Sequence, residues 1–514
     1  MSDALQIALQ NTFSPATLLA IFVSATCGLF IGAIPGLTAT MAVALMVPFT
    51  FFLDPVAGVA AIVTMEACCI FAGDIPTTLM RIPGTPSSAA YVDDAYALTC
   101  RNEHEKTLGV SLTFSIVGGL IGAVVLIVAA PQLARIAFEF SSYEYFWLCA
   151  LGLSCAAVVS QGSAARGMLS LAIGLLISCI GIGSTHGIPR LTLGINQLSS
   201  GISFIPAMIG LFGFSEVLRN VLAPTLHQPA AASPDGPFES HLKSAWNNVF
   251  GDAFGRLKQS IGRILTSSTI GSVIGMLPGA GADIAAWISY AVSKQRSTPE
   301  QQKEYGRGSL QGIADATTAN NASLAGAWIP ALVLGIPGDS VTAIVIGVLL
   351  MKNVNPGPDI FENQLPIVYS IYITFILANL LLIPLGFVAI RLGSQIVRVP
   401  RHIILPLILM FCIVGSFAIN SSYFDVYAML GMGLLGFVLE KYKVPLGPIV
   451  LGIILGGRLE ETLVQCLTKS DSLAAFFSRP IAAGLGVLCI SVWLWPLASR
   501  LMSLRNNSTD TTNS

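Results

Sequence analysis

Residues Gly275 to Asp283 read Gly-Met-Leu-Pro-Gly-Ala-Gly-Ala-Asp and separate two apolar runs, Ile264 to Ile274 and Ile284 to Val292. A hydrocarbon core takes roughly 20 apolar residues of α-helix to cross, and neither run is that long. Proline lacks a backbone donor and glycine weakens a helix, so the stretch reads as unwound backbone between two half-length helices. At membrane depth such backbone persists only where protein or a water-filled cavity satisfies its amides and carbonyls. The break marks a candidate site, set against the blander possibility that proline and glycine only kink packed helices.

Working outward, 54% of the 514 residues are hydrophobic and 10% are charged, against about 25% charged for a soluble domain. The apolar segments have helix length and lack the period-2 alternation of an outer-membrane barrel, which predicts an all-α polytopic membrane protein embedded in a lipid bilayer. A net charge of -1 with scattered Lys and Arg provides no concentrated basic surface for nucleic acid. The ten cysteines fall mostly within apolar runs and form no CxxC pair, as expected of small buried hydrophobes. The first fifteen residues carry no Lys or Arg, so the first hydrophobic segment is expected to be retained rather than cleaved as a signal peptide.

The stretch is echoed. Gly32-Ala-Ile-Pro35-Gly36-Leu-Thr-Ala39 matches Gly275 to Ala282 at an offset of 243 residues. Ile75-Pro76 followed by Ile82-Pro83-Gly84 matches Ile329-Pro330 followed by Ile336-Pro337-Gly338 at an offset of 254. Two ordered motifs recurring in both halves predict a duplication. No Lys or Arg precedes Arg81, whereas Arg256, Lys258, Arg263, Lys294, Arg296, Lys303 and Arg307 flank the second copy. The positive-inside rule then places the ends of the first hairpin outside and those of the second inside, so the copies are read as two inverted-topology repeats. The first repeat spans 1–222, with a re-entrant-type helical hairpin near 16–53 and a broken, discontinuous helix near 56–99. An interfacial or cytoplasmic linker, 223–262, leads to the second repeat, 263–500, with its hairpin near 264–292 and broken helix near 312–350. A polar tail, 501–514, is expected to be disordered.

Inverted repeats built on broken helices are the architecture of secondary transporters, whose sites lie near the midplane. Half-helix N-termini present free amides and partial positive charge to an anion, while unwound carbonyls suit a cation. The substrate-binding candidates at the hairpin tips are Pro35, Gly36, Thr38, Pro278, Gly279 and Gly281, and at the later breaks Arg81, Gly84, Thr85, Asn320, Asn321, Pro337 and Gly338. Thr40, Asp74, Asp283, Asp315, Thr318, Asp339 and Ser340 could hold a coupling sodium ion, or an acid among them a proton; the hydroxyls and amides could equally be interhelical glue. An arginine at membrane depth needs a partner. Arg81 could hold a substrate carboxylate in its two-donor fork, or pair with Asp74 or Glu66.

Rival readings are a passive anion channel and an intramembrane enzyme. No nucleophile and base or metal cluster suggests the second, and the five histidines show no ligand spacing. Gly279-Ala-Gly-Ala-Asp-Ile-Ala looks like a phosphate loop, but no strand precedes it and no Lys follows, so no nucleotide cofactor is expected.

At Gly-Ala-Ile-Pro-Gly-Leu-Thr-Ala-Thr-Met-Ala (32–42), Ile-Pro-Gly-Thr-Pro-Ser-Ser-Ala-Ala (82–90), 275–295, 304–338 and Asn-Pro-Gly-Pro-Asp-Ile-Phe (355–361) the chain resembles the large membrane subunit of the tripartite tricarboxylate transporter family. The resemblance implies a multi-pass permease of the bacterial inner membrane that works with a small four-helix membrane subunit and a periplasmic solute-binding protein. It implies import of small organic anions, carboxylates among them, with a sodium or proton gradient and an elevator-like movement, and no ATP hydrolysis. The chain departs from the family pattern at Thr317, where an acid is common, at Asp74 and Arg81, and at Asp93-Asp94-Ala95-Tyr96.

Overall fold

The computed structural model describes residues 2–159, 163–183, 187–222, 242–278, 281–397, 401–470 and 472–494. The expected tail at 501–514, the linker's first part and Gly279 lie outside the described residues. The chain is almost wholly helical, and among the described residues Pro15–Gly32, Pro55–Met80, His104–Ala137, Phe204–Leu222, Leu365–Ile396 and Tyr423–Lys441 are long and apolar enough to cross a membrane.

Contacts divide the chain into two compact units that do not follow the sequence halves: one holds residues 2–135 and 205–437, the other 136–204 and 438–494. The first unit begins with α1 (Ser2–Thr12), α2 (Pro15–Gly32), α3 (Ala39–Thr50), α4 (Pro55–Ala72), α5 (Asp74–Met80), α6 (Val92–Thr99) and α7 (His104–Ala137). The second opens with α8 (Ser142–Val159) and α9 (Ala164–Ser178). The first then resumes with α10 (Phe204–Met208), a π-helical stretch at Ile209–Phe214, α11 (Ser215–Leu222) and α12 (Leu242–Gln259). It continues through α13 (Ile261–Gly275), α14 (Gly281–Gln295), α15 (Pro299–Gln302), α16 (Leu310–Leu334), α17 (Ser340–Met351) and α18 (Ile360–Asn363) to α19 (Leu365–Ile396), α20 (Arg401–Asn420) and α21 (Tyr423–Lys441). α22 (Gly447–Lys469) and α23 (Pro480–Leu494) complete the second unit.

Helix starts follow local chemistry. Ser14 caps α2, with Pro15 at the first position where a missing N–H is harmless, and Pro55 takes that position in α4 after Asp54, whose side chain makes no capping bond. α13 and α14, of 15 residues each, are too short to cross alone and form a hairpin, as do α2 and α3. The core of the first unit is built on α4 and α16, whose residues are buried almost throughout. α7 crosses α16 closely because Gly118 and Gly122 face the carbonyls of Thr318 and Ala322, leaving no room for a methyl.

Two stretches named from the sequence carry structure of their own. The expected linker at 223–262 contains α12, whose Val249, Phe250 and Ala253 are buried in the cores around α7. The apolar face of an otherwise polar helix docks it. Beyond the first break, one short turn at Ser88–Ala90 leads into the eight-residue α6, which carries Asp93 and Asp94 in its first turn.

In the second unit, α9 packs on α22 with Gly174 against the Ile449 backbone. A two-stranded ribbon pairs Gly181 with Arg190, and the Arg190 guanidinium makes two bonds, 2.8 and 2.9 Å, to Glu460.

Candidate transport site

Each hairpin's first arm packs on the broken helix of its own half through matching glycines. A methyl on Gly32 would collide with the Cys69 carbonyl, and one on Gly275 with that of Ser323. One turn earlier, Gly28 faces the Met65 carbonyl and Gly271 that of Ala319. The glycines are 243 residues apart and their partners 254, the two offsets of the sequence echo. This is small-residue packing of a membrane interior, where close backbone approach replaces hydrophobic drive.

The breaks are also alike. α5 ends at Arg81 and α16 at Gly335, both left-handed, with their N–H groups donating to the carbonyls of Pro76 and Pro330. Pro76 and Pro330 themselves sit inside helix, so the chain unwinds only at the Ile-Pro-Gly that follows. Gly84 then folds against Gly73, and Gly338 against Ala327, again 254 residues apart. Thr85 and Ser88 exchange backbone-to-hydroxyl bonds of 3.2 Å each. At the equivalent positions Asp339 caps α17 by accepting from the Thr342 N–H at 2.8 Å, and its own N–H donates to the Thr342 hydroxyl at 2.9 Å. Ser340 is the first residue of α17, and Pro337 is buried in the break.

The second arms cross over. α3 packs on α17 of the other half, and α14 packs on the Ser88–Ala90 turn. Trp287 Nε1 donates to the Pro86 carbonyl at 3.3 Å. Gly281, at φ 61°, starts α14 beside Asp339, whose Cβ would lie 3.2 Å from a methyl there. The N-termini of α14 and α17 therefore meet, with Asp283, Asp339 and the first break around them. Pro278 sits half-buried in the adjoining turn. The first tip lies elsewhere: Gly36, at φ 90°, faces Asn220 of α11, Thr38 caps α3 by accepting from the Met41 N–H, Thr40 is half-buried in the first turn, and Pro35 is buried. Among the described contacts the two tips do not touch.

Arg81 pairs with neither Asp74 nor Glu66. It is largely exposed, bonds Asp93 Oδ1 through Nε at 3.1 Å and Nη2 at 2.8 Å, and lies over the Tyr96 ring. Left-handed backbone at Arg81 turns the side chain towards α6 and away from the interior. Asp74 instead accepts from the Tyr91 hydroxyl at 2.6 Å and from the Ser111 hydroxyl.

On α16, Asp315 is held by Ser293 Oγ at 2.5 Å and Gln311 Nε2 at 2.9 Å, with Arg263 at 3.7 Å. The Thr318 hydroxyl donates back to Ala314. Asn320 Oδ1 and Asn321 Oδ1 are buried without a partner, while Asn321 Nδ2 donates to the Thr317 carbonyl. Free oxygens inside a helical core are expensive unless a ligand or water uses them.

Sequence reading missed three features. Glu66, considered only as a partner for Arg81, is buried against Trp328; it is the single charged residue of α4, a signal open to inspection. Asp94 accepts the backbone N–H groups of Gly306, Gly308 and Ser309 at 2.8 Å each and the Tyr290 hydroxyl at 2.6 Å, tying α6 to the second half. The Gly28/Gly32 and Gly271/Gly275 pairs carry the four-residue spacing of close helix packing.

The model of the tripartite tricarboxylate transporter TctA family matches residues 18–451. A protein of Agrobacterium vitis described as an uncharacterized 52.8 kDa protein in the TAR-I ttuC' 3' region is 30% identical over 498 residues, 96% of each chain. An uncharacterized protein in the TAR-II ttuC' 3' region of the same organism is 36% identical over 230 residues, 44% of this chain and 94% of its own. No solved structure matches. With a family match that takes in both hairpins and both breaks, the chain belongs to the tripartite tricarboxylate transporter TctA family.

Proposed function

We propose that this permease imports small organic anions, di- or tricarboxylates or other carboxylates, across the bacterial inner membrane as a secondary transporter. It takes them from a periplasmic solute-binding protein and works with a small four-helix membrane subunit. The observation that carries this is the meeting of the α14 and α17 N-termini where Gly281 touches Asp339. Two converging helix ends offer amide donors and partial positive charge to an anion at membrane depth. The acids alongside, Asp283 and Asp339, would repel that anion unless a cation accompanied it, which favours symport with sodium or protons over a passive channel. Shared backbone geometry at the two breaks, and opposite charge flanks on the hairpins, support inverted repeats and an elevator-like exchange of access.

Uptake of radiolabelled citrate, malate and tartrate into proteoliposomes, with both partner subunits present and sodium and pH gradients imposed separately, tests the reading. Accumulation that requires a gradient and the binding protein is expected. Equilibration that ignores both would make it a channel.

A further inference from the structure

We propose that Glu66 takes up and releases the proton that couples this permease to a pH gradient, an inference that rests on the secondary-transport reading above. Residues Pro55–Met80 form one 26-residue membrane span, and Glu66 lies near its centre, the only charged side chain of α4. It is 1% exposed. Its Oε2 accepts from the Trp328 indole at 3.3 Å, and its Oε1 has no partner. Trp328 is itself fully buried and held edge-on by Phe375, with ring centroids 5.3 Å apart.

Among the described residues no Lys or Arg bonds this carboxylate; Lys352, at the end of α17, lies against Gly58 of α4 and donates to the Phe51 and Leu53 carbonyls instead. Asp339, at the head of α17, is the charged group acting on it across the interface, and Cys69 is its titratable neighbour on its own helix. Of the remaining packed elements, α1 carries Asp3, α2 Cys27, α5 Asp74 and α16 Asp315; α19 carries Tyr369, Tyr372 and Arg391, the last bonded to Glu105; α3 has no titratable group. Glu66 has Trp328 as its hydrogen-bond partner and none of these.

A bare carboxylate at the bilayer centre costs about 2.5–3.5 kcal/mol even on lenient insertion scales, so Oε1 requires a cation. Sodium requires a shell of several oxygens. Among the described residues the one hydrogen-bond partner of Glu66 is an N–H donor, which cannot coordinate a metal ion, and no hydroxyl or amide oxygen bonds it, whereas a proton needs only the oxygen that is free. The step is a simple transfer: an O–H bond forms on Oε1 with a proton from water on one side of the membrane, and breaks to water on the other. Because Trp328 precedes the second break and Asp339 follows it, movement of that break against α4 alters both neighbours of Glu66 at once.

Two measurements on the permease with its partner subunits test this. In pH-titrated infrared difference spectra of the protein in lipid, a carboxylic C=O band should be present in the wild type and in Glu66→Asp, shifted in the latter, and absent in Glu66→Gln. In proteoliposomes, Glu66→Gln should lose accumulation driven by a pH gradient yet keep exchange of internal for external labelled carboxylate, since the amide mimics the protonated acid. Retained exchange excludes misfolding. An unchanged infrared band, or Glu66→Gln accumulating as the wild type does, or wild-type uptake driven by sodium alone, would overturn the assignment. If the wild type moves no carboxylate at all, the transport reading fails while the infrared band still decides whether Glu66 carries a proton.

Discussion

Arg81 and Gly335 stand 254 residues apart and end their helices in the same left-handed turn, at φ 57° and φ 67°. Glycine adopts this backbone freely, whereas an L side chain costs about 1–2 kcal/mol there. The first half thus keeps a strained arginine where the second has the conformation's natural residue. Its compensation is the exposed pair with Asp93, worth about 0–1 kcal/mol. Arg81→Gly should therefore leave the thermal midpoint in detergent nearly unchanged, and the KM for uptake with it. A raised KM with an unchanged midpoint would assign the guanidinium to substrate instead.

Gly275→Val should separate the second hairpin from α16. The side chain would run into the Ser323 carbonyl, and backbone cannot rotate aside as a flexible side chain can. Overpacking of this kind costs about 1–3 kcal/mol. Gly32→Val meets Cys69 in the same way and should give a similar loss. Gly255→Val, with nothing near its Cβ position, is the control. Thermal midpoints and protease sensitivity at the hairpin would measure all three.

Pro35-Gly36, Pro278-Gly279 and the two Ile-Pro-Gly triplets announced the breaks because proline and glycine act on the backbone within a residue or two. Their echo is what raised the expectation of a hairpin in each half. Partners set by tertiary packing were not legible: Arg81 finds Asp93 across twelve residues of irregular chain, and Asp94 finds an amide nest more than 200 residues away. Nor did apolar periodicity indicate that 136–204 packs with 438–494, since hydrophobic helices of similar length carry no address for one another. α12 lies within the stretch expected to be an interfacial linker; its composition is dominated by its polar face, and the burial of Val249, Phe250 and Ala253 against particular partners is set by tertiary packing.

Asp94→Ala should be among the most damaging substitutions outside the transport path. It removes the acceptor of three backbone N–H groups and one hydroxyl, and bonds to a charged group contribute about 1.5–3 kcal/mol each. Asp94→Asn retains one carbonyl oxygen and should lose less. A steep drop in folded yield for the alanine variant, with partial recovery in the asparagine variant, is the expected pattern on size-exclusion profiles.

The docking of α12 should weaken in acid. Lys106 Nζ lies 2.6 Å from Asp252, and this bond holds the Asp252 carboxyl below its usual range. A depressed carboxyl adds stability that is complete above its unfolded value, near 3.9, and is lost as pH falls through the lower folded value. The pair is half exposed, so the effect is about 0–1 kcal/mol. Gly109→Ala should do more, because its methyl would strike the Val249 carbonyl at any pH. Protection factors of the α12 amides, taken relative to intrinsic exchange at each pH, should fall below pH 4 in the wild type and be lower throughout the pH range in Gly109→Ala.

Asn321→Ala should abolish uptake and leave membrane insertion intact. The asparagine's Nδ2 already bonds the Thr317 carbonyl, so the residue's structural need is met on one side only. Its Oδ1 is buried and unpartnered, as is that of Asn320. Replacing a half-satisfied amide with a methyl removes an unmet acceptor and forfeits one neutral hydrogen bond, about 0.5–1.5 kcal/mol, which a well-packed helix tolerates. The fold should therefore persist, and any loss of transport reports on the oxygen itself. Gly279→Leu, at the tip that the family motif shares, should give the same separation of uptake from insertion. Uptake by Asn321→Ala equal to that of the wild type would remove this asparagine from the site.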